Sequence, residues 1–202
     1  RYEFIYPQYN LEKQISYDNG NIGYLKTYGS QRQYDTNIYE GIIINDFLFE
    51  GRSNYSKNGF VSNLKTLIKN VNVDANNSKI YKDEFEQSIA TVFQYNSQYP
   101  MFKESSEYNN NLTPKFSLMY SPNKTRNLYN DDKRIDNSNI FSFNRIANDE
   151  TVEGGASLTY GLNFKKVNKN NNIDVLNLDI SSLVRIKENL DLPKTSTLGK
   201  KS

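Results

Sequence analysis

Along residues 85–99 large and small side chains alternate with a period of two. Phe85, Gln87, Ile89, Thr91, Phe93, Tyr95, Ser97 and Tyr99 fall on one face, and Glu86, Ser88, Ala90, Val92, Gln94, Asn96 and Gln98 on the other. Successive side chains of an extended strand point to opposite sides, so this sorting predicts a strand with one bulky and one small or polar face. The pattern returns where Ala156, Leu158, Tyr160, Leu162 and Phe164 oppose Gly155, Ser157, Thr159, Gly161, Asn163 and Lys165. It returns again where Leu176, Leu178, Ile180, Val184 and Ile186 oppose Asn177, Asp179, Ser181 and Arg185. Residues 112–121 and 60–73 carry shorter or weaker versions. Residues 1–9, 21–34 and 39–49 read as less regular strands. The last has apolar residues on both faces ("GIIINDFLF") and predicts either a strand buried on both sides or a helix-like plug. The expected fold is all-β, with roughly eight to ten strands of about ten residues or more, longer than most globular strands and long enough to cross a bilayer.

Composition narrows the function. The 202 residues include no His and no Cys, which removes disulfide frameworks, zinc fingers and imidazole or thiol catalysis. A net charge of +2, with no Lys/Arg run, gives no footprint for nucleic acid. The mean hydropathy of −0.78, with no long apolar run, excludes a transmembrane helix. A transmembrane barrel stays open, because its alternating strands average out polar. Asn occurs 30 times, beside 16 Tyr and 11 Phe, a mixture that favours strands joined by polar turns. The first residue is Arg1 and no signal-peptide core follows it, so the chain reads as an internal segment or mature fragment of something longer.

Two architectures fit the alternation. In a transmembrane barrel the bulky face meets lipid, and Tyr95, Tyr99, Tyr108, Tyr120 and Tyr160 would form interfacial girdles. In a soluble β-sandwich that binds glycans or mediates adhesion, the same face is the core. The small, weakly charged character of the opposite face favours the barrel. Residues 122–153 form the longest stretch without a pattern, and a loop of that length is normally functional or extracellular. Asp131, Asp132, Lys133, Arg134 and Asp136 within it read either as oxygen ligands for a divalent cation or as a solvated loop. The spacing and Gly turn of a calcium loop are absent, which favours the solvated loop. Glu150 and Glu153 have nothing converging on them to make a paired-carboxylate acid/base site. The glycines of "GNIGYLKTYG" precede no helix that could hold a phosphate. Nothing supports catalysis or a cofactor.

Three pieces of the chain carry a resemblance. "LTPKFSLMYSP" looks like a strand pattern L-x-P-x-x-x-x-x-Y-x-P. "NIFSFNRI", residues 139–146, looks like a loop motif D-x-N-L-F-S-x-x-R-F. "DETVEGGASLTYGL" is similar to Y-D-R-x-E-G-G-x-x-x-x-Y-G-L. Together they resemble the C-terminal barrel region of the LptD family of outer-membrane lipopolysaccharide-assembly proteins, also called organic solvent tolerance proteins. The opening "RYEFIYPQYN" is similar to that family's L-P-x-I-x-Y strand, which extends the resemblance over the whole chain. Where the family has a G-Y-D-R step, Ala147, Asn148, Asp149 and Glu150 stand here, and the cysteines of some relatives are missing.

The resemblance implies that residues 1–202 are part of a barrel of about 26 strands in the cell outer membrane, with 122–153 as a long loop. The periplasmic jellyroll and the closing strands would lie outside this segment. The implied partners are lipopolysaccharide, an LptE-type lipoprotein plug, outer-membrane lipid, and periplasmic bridge proteins reached through the missing N-terminal domain. Asn139, Ile140, Phe141, Asn144, Arg145, Asp149, Glu153, Gly154 and Gly155 would form a structural or lumen-facing loop. Within it Arg145 would meet Asp149, Glu153 or a lipopolysaccharide phosphate. A generic diffusion porin is the competing membrane reading.

Overall fold

The structure, a computed structural model, describes residues 3–34 and 37–201. Ten strands follow in chain order: β1 (Glu3–Ser16), β2 (Ile22–Tyr34), β3 (Tyr39–Glu50), β4 (Asn54–Tyr55), β5 (Val61–Asn76), β6 (Glu86–Gln98), β7 (Met101–Glu104), β8 (Tyr108–Ser121), β9 (Gly155–Asn168) and β10 (Asp174–Arg185). They form one antiparallel sheet in the order β1-β2-β3-β5-β6-β8-β9-β10, with β4 on β5 and β7 on β8. Successive long strands pair with one another, β8 and β9 across the long segment 122–154 and the others through shorter connections. The Asn-rich composition serves these connections: Asn77 after β5 and Asn172 before β10 hold φ of 56° and 55°, which Asn tolerates better than most residues.

One row of side chains defines the outward face. Leu64 of β5 pairs with Tyr95, Tyr95 with Leu118, Leu118 with Leu158, and Leu158 with Val184. Ile68, Ile89, Phe93, Phe116, Tyr120, Tyr160, Leu178 and Ile180 lie on the same side, and all are exposed. The inward face holds Lys69, Val71, Val73, Val92, Gln94, Ser117, Met119, Ser121, Ser157, Thr159 and Arg185, all buried. Most of their cover comes from residues 122–154 and 186–201, which contain no strand. Two apolar clusters seal the contact, one of Val92, Met119 and Val152 and one of Leu128, Ile146, Leu192 and Leu198, while a third, of Ile44, Val71, Val73 and Ala75, is covered by Tyr81.

Further along the inward face, charges alternate across four strands in register: Glu12, Lys26, Asp46 and Lys69. Lys69 Nζ lies 2.8 and 2.7 Å from the two oxygens of Asp46 and 2.7 Å from the Asp149 carbonyl. The edge of β6 is handled differently. β6 pairs with β8 only from Phe93 onward, and the Asn123 side chain takes over at Thr91 and Ile89. Its Oδ1 accepts from Thr91 N at 2.8 Å, and its Nδ2 donates to Ile89 O at 3.0 Å, so one amide stands in for a strand.

The sheet is all-β and antiparallel, as expected, and is not closed: among the described residues β1 and β10 each have a neighbour on one side only. Other expectations change. Residues 39–49 are not a plug but lie within β3, in register with β2 and β5 along its whole length. β1 runs to Ser16, well past the expected end at residue 9, while Arg1 and Tyr2 lie outside the described residues. Tyr160 stands in mid-strand, paired with Phe116, rather than near a strand end. The sandwich reading needs a second sheet against the bulky face, and among the described residues there is one sheet with that face open.

Exposed apolar rows on one side and buried polar rows on the other make the effect of a charge depend on its face. With the protein in lipid vesicles, Phe93→Arg is expected to lower unfolding stability by about 2–4 kcal/mol. Gln87→Arg, on the same strand where the face is already polar, should change it by less than about 1 kcal/mol. Urea titration followed by Tyr fluorescence measures both.

Candidate functional site

Segment 122–154 leaves the sheet at Ser121, crosses the inward face and returns at Gly155. Its two stems are zipped by side chains. Arg126 N donates to Thr151 Oγ1 at 2.8 Å, and Gly154 N donates to Thr125 Oγ1 at 2.8 Å. The pair Gly154–Gly155 closes the stem for steric reasons. A Cβ on Gly154 would collide with the Asn123 carbonyl oxygen, and Gly155 holds φ +89°. Residues 186–201 dock beside the stems. Leu128 N donates to Asp191 O at 2.7 Å, and Asn189 Nδ2 donates to Thr125 Oγ1 at 3.0 Å.

At the centre stands Glu153 between two guanidinium groups. Arg145 Nε lies 2.6 Å from Glu153 Oε2 and Arg145 Nη2 lies 2.7 Å from Oε1, a two-pronged pair. Arg185 Nη2 bonds the same Oε1. The side chains of Arg145, Glu153 and Arg185 are 2%, 5% and 1% exposed, so the interaction belongs to the buried regime rather than the weak surface one. Both cations bond the Glu153 carboxylate, and neutral oxygens take further N–H groups. Arg145 Nη1 donates to Thr159 Oγ1 at 2.9 Å and to Ile140 O at 3.2 Å, while Nη2 meets Ser157 Oγ. Arg185 donates through Nη1 to Gly154 O at 2.8 Å and through Nε to Leu198 O at 2.7 Å. One cluster thereby joins segment 122–154, segment 186–201, β9 and β10.

The residues singled out from sequence divide between two places. Ile140, Arg145, Glu153 and Gly154 meet in this cluster, and Gly155 adjoins it. Arg145 pairs with Glu153 and not with Asp149, which is exposed and contributes its backbone carbonyl to Lys69. Phe141 lies further along the segment, its carbonyl accepting from Gln94 Nε2 at 3.3 Å and its ring 4.5 Å from Lys115 Nζ. Asn139 shapes a turn, accepting from Asp136 N and donating to Arg134 O at 3.0 Å. Asn144 is exposed and reaches the Asn148 carbonyl at 3.3 Å.

Glu150 and Glu153 are held apart. Glu150 takes the Tyr81 hydroxyl at 2.8 Å and pairs with Arg126. Burial, reinforced by the Glu150 carboxylate, pushes the Tyr81 phenol up to about 12. In the acidic stretch 131–136, Arg134 Nε is 3.9 Å from Asp132, and Asp136 turns onto Ser138. The Ser138 hydroxyl and amide hold the Asp136 carboxyl below the usual carboxylate range. Among the described residues no three acidic groups converge to hold a metal ion.

Reading the sequence missed Arg185, Ser157 and Thr159 as members of the cluster. Arg185 stood out only as a charge on a polar strand face, and its carboxylate partner is 32 residues away. The one available signal was the run of small residues opposite the bulky face of β9, which leaves the room that two guanidinium groups occupy.

Two substitutions separate the contributions. Glu153→Gln removes the buried carboxylate that Arg145 and Arg185 share and should cost about 3–5 kcal/mol, read as early proteolysis of segment 122–153. Ala147 holds φ +46° where the family pattern has glycine. Ala147→Gly should therefore stabilise the protein by about 1 kcal/mol in urea unfolding.

The family profile described as LPS transport system D, LptD, matches residues 66–202. Those residues include β6 to β10, the larger part of β5, and the whole Arg145–Glu153–Arg185 cluster. The opening strands, among them "RYEFIYPQYN", lie outside the matched range. No curated protein matches the chain. The match covers more than half of the sequence, and the chain therefore belongs to the LptD family, transport proteins rather than enzymes, which handle lipopolysaccharide and reside in the cell outer membrane.

Proposed function

We propose that residues 1–202 are a wall segment of a large closed outer-membrane barrel that delivers lipopolysaccharide to the outer leaflet, with 122–153 as an extracellular loop folded into the lumen. The observation that carries this is the division of one sheet into two chemistries. The row Leu64, Tyr95, Leu118, Leu158 and Val184 suits hydrocarbon, while the opposite face is polar and covered by the chain itself. Open edges at β1 and β10 suit a sheet that continues on both sides, because unpaired backbone groups are not tolerated in lipid. An amphipathic lipid needs a polar path for its sugars and an apolar one for its acyl chains, and a barrel with a lateral seam supplies both. The seam is assigned to strands outside this segment.

In this reading the partners are an LptE-type lipoprotein plug in the lumen, and periplasmic bridge proteins that engage the N-terminal domain. Arg145, Glu153, Gly154 and Gly155 anchor the loop, and Asn139, Phe141 and Asn144 shape the part that faces the lumen. The packing of segments 122–154 and 186–201 against the inward face argues against an open diffusion pore.

Depletion of the full-length protein tests the reading. The expected result is lipopolysaccharide retained at the inner membrane, with loss of a heat-modifiable outer-membrane band recognised by antibody against 122–153. Normal surface lipopolysaccharide after depletion of that band would overturn it.

A further inference from the structure

The outward face changes character in the middle of β2, β3 and β5. Leu25, Phe47 and Ile68 pair across these strands, and two residues further on the row is Thr27, Asn45 and Asn70. Thr27 Oγ1 donates to Asn45 Oδ1 at 2.8 Å, and Asn45 Nδ2 donates to Asn70 Oδ1 at 3.2 Å. Asn72 joins from the next row, its Nδ2 2.6 Å from Asn70 Oδ1. Side-chain amides keep donors and acceptors to spare after such bonds, and hydrocarbon offers them no partner. On these three strands the hydrocarbon boundary falls at this row.

Beyond the row lies a pocket of about 340 Å³. It is displaced along β5 toward Asn76, and β5 and β8 run in the same direction, so it lies toward the end of the sheet at which segment 122–154 leaves Ser121. Its floor is backbone at Gly29 and Gly41. A Cβ on Gly29 would collide with the Tyr9 ring, and one on Gly41 would lie 2.9 Å from the Tyr39 hydroxyl oxygen, so glycine at both places lets the two tyrosines lie against the sheet. Phe85, 65% exposed, supplies a third aromatic wall.

Three polar side chains of the lining are unspent. Among the described residues no hydrogen bond engages the side chains of Gln31, Tyr39 or Asp74. Gln31 offers donors and an acceptor, Tyr39 a hydroxyl, and the Asp74 carboxylate only acceptors. Asp74 is also the one charged side chain in the lining, which welcomes hydroxyl groups and repels phosphate. Aromatic faces carry negative charge density and attract the C–H bonds of a sugar ring. A pocket of this volume with ring walls and a few placed polar groups has the make-up of a small-ligand site.

We infer that this pocket binds a saccharide unit in the headgroup of a lipid of the surrounding outer leaflet, stacked between the aromatic walls and hydrogen-bonded through its hydroxyls to Gln31 and Asp74. The amide row beneath it sets the hydrocarbon boundary at the level where such a headgroup begins. The inference rests on the reading that puts segment 122–153 outside the cell. It adds a lipid contact on the outside of the wall, apart from any path through the lumen.

Full-length protein with 4-fluorophenylalanine in place of Phe85, held in phosphatidylglycerol nanodiscs, tests the site. Including lipopolysaccharide in the discs should shift the fluorine resonance, and Gln31→Leu with Asp74→Leu should abolish the shift. Heat-modifiable mobility confirms that the variant folds. A resonance that ignores lipopolysaccharide, or a shift that survives in the double variant, would overturn the inference. Soluble deacylated lipopolysaccharide should give the same shift, and bind about tenfold more weakly in Gln31→Leu alone, the factor one net hydrogen bond is worth. A shift produced by the soluble saccharide but not by the intact lipid would assign the pocket to a free sugar and contradict its assignment to the leaflet.

Residues 1–202 contain no cysteine, so Phe85→Cys adds a single thiol that should react with a membrane-impermeant maleimide on whole cells. If it reacts and the fluorine shift fails, the saccharide site fails and the barrel reading stands. Reaction only after the cells are opened would overturn the orientation on which both rest.

Discussion

A guanidinium group taken out of water must find an anion and acceptors for its N–H groups, or the fold around it does not persist. In this protein two such groups share Glu153, and segments 122–154 and 186–201 both contribute acceptors. Gly154 and Ile140 offer carbonyls from one covering segment and Leu198 from the other, while Ser157 and Thr159 offer hydroxyls from β9. Because the acceptors come from separate stretches of chain, the cluster is satisfied in one arrangement only. A buried ion pair adds little net stability compared with apolar packing. Its contribution here is to specify where the two covering segments sit.

The composition of the two sheet faces follows from that cover. Ser117, Ser121, Ser157, Thr159 and Gly161 are small on the inward face, where a folded segment has to approach the backbone. On the outward face Phe93, Phe116, Leu118 and Tyr160 are large and exposed. A water-exposed sheet of this kind would aggregate through its apolar patch and its open edges. In a bilayer the same rows are solvated by acyl chains, which makes the outer membrane the environment in which both faces are satisfied at once.

Strands whose two faces differ in size were legible in the sequence. Residues 85–99 sort cleanly, and the structure places β6 within one residue of that range at each end. Residues 10–16 were not legible, because Glu12, Lys13 and Gln14 put polar groups on both faces of β1 and conceal the period of two. The arginine and glutamate of segment 122–153 could be picked out as a motif, since Arg145 and Glu153 are eight residues apart. Arg185 and the Asn137 contact with β10 depend on pairings across 32 and 42 residues, which no local pattern encodes. The alternating row Glu12, Lys26, Asp46 and Lys69 escaped notice for the same reason: it exists only once the register is set.

Site-directed spin labelling along Phe116 to Ser121 of β8 tests the two-faced wall most directly, again because the sequence carries no cysteine of its own. In outer-membrane vesicles, labels at 116, 118 and 120 should collide readily with dissolved oxygen, which concentrates in hydrocarbon. Labels at 117, 119 and 121 should be shielded both from oxygen and from a water-soluble nickel chelate. That alternation is the result expected of a lipid-facing wall whose inner side is covered by its own chain. Strong collision with the nickel chelate at 117, 119 and 121 would mean an open aqueous lumen, and the absence of any period of two would contradict the wall itself.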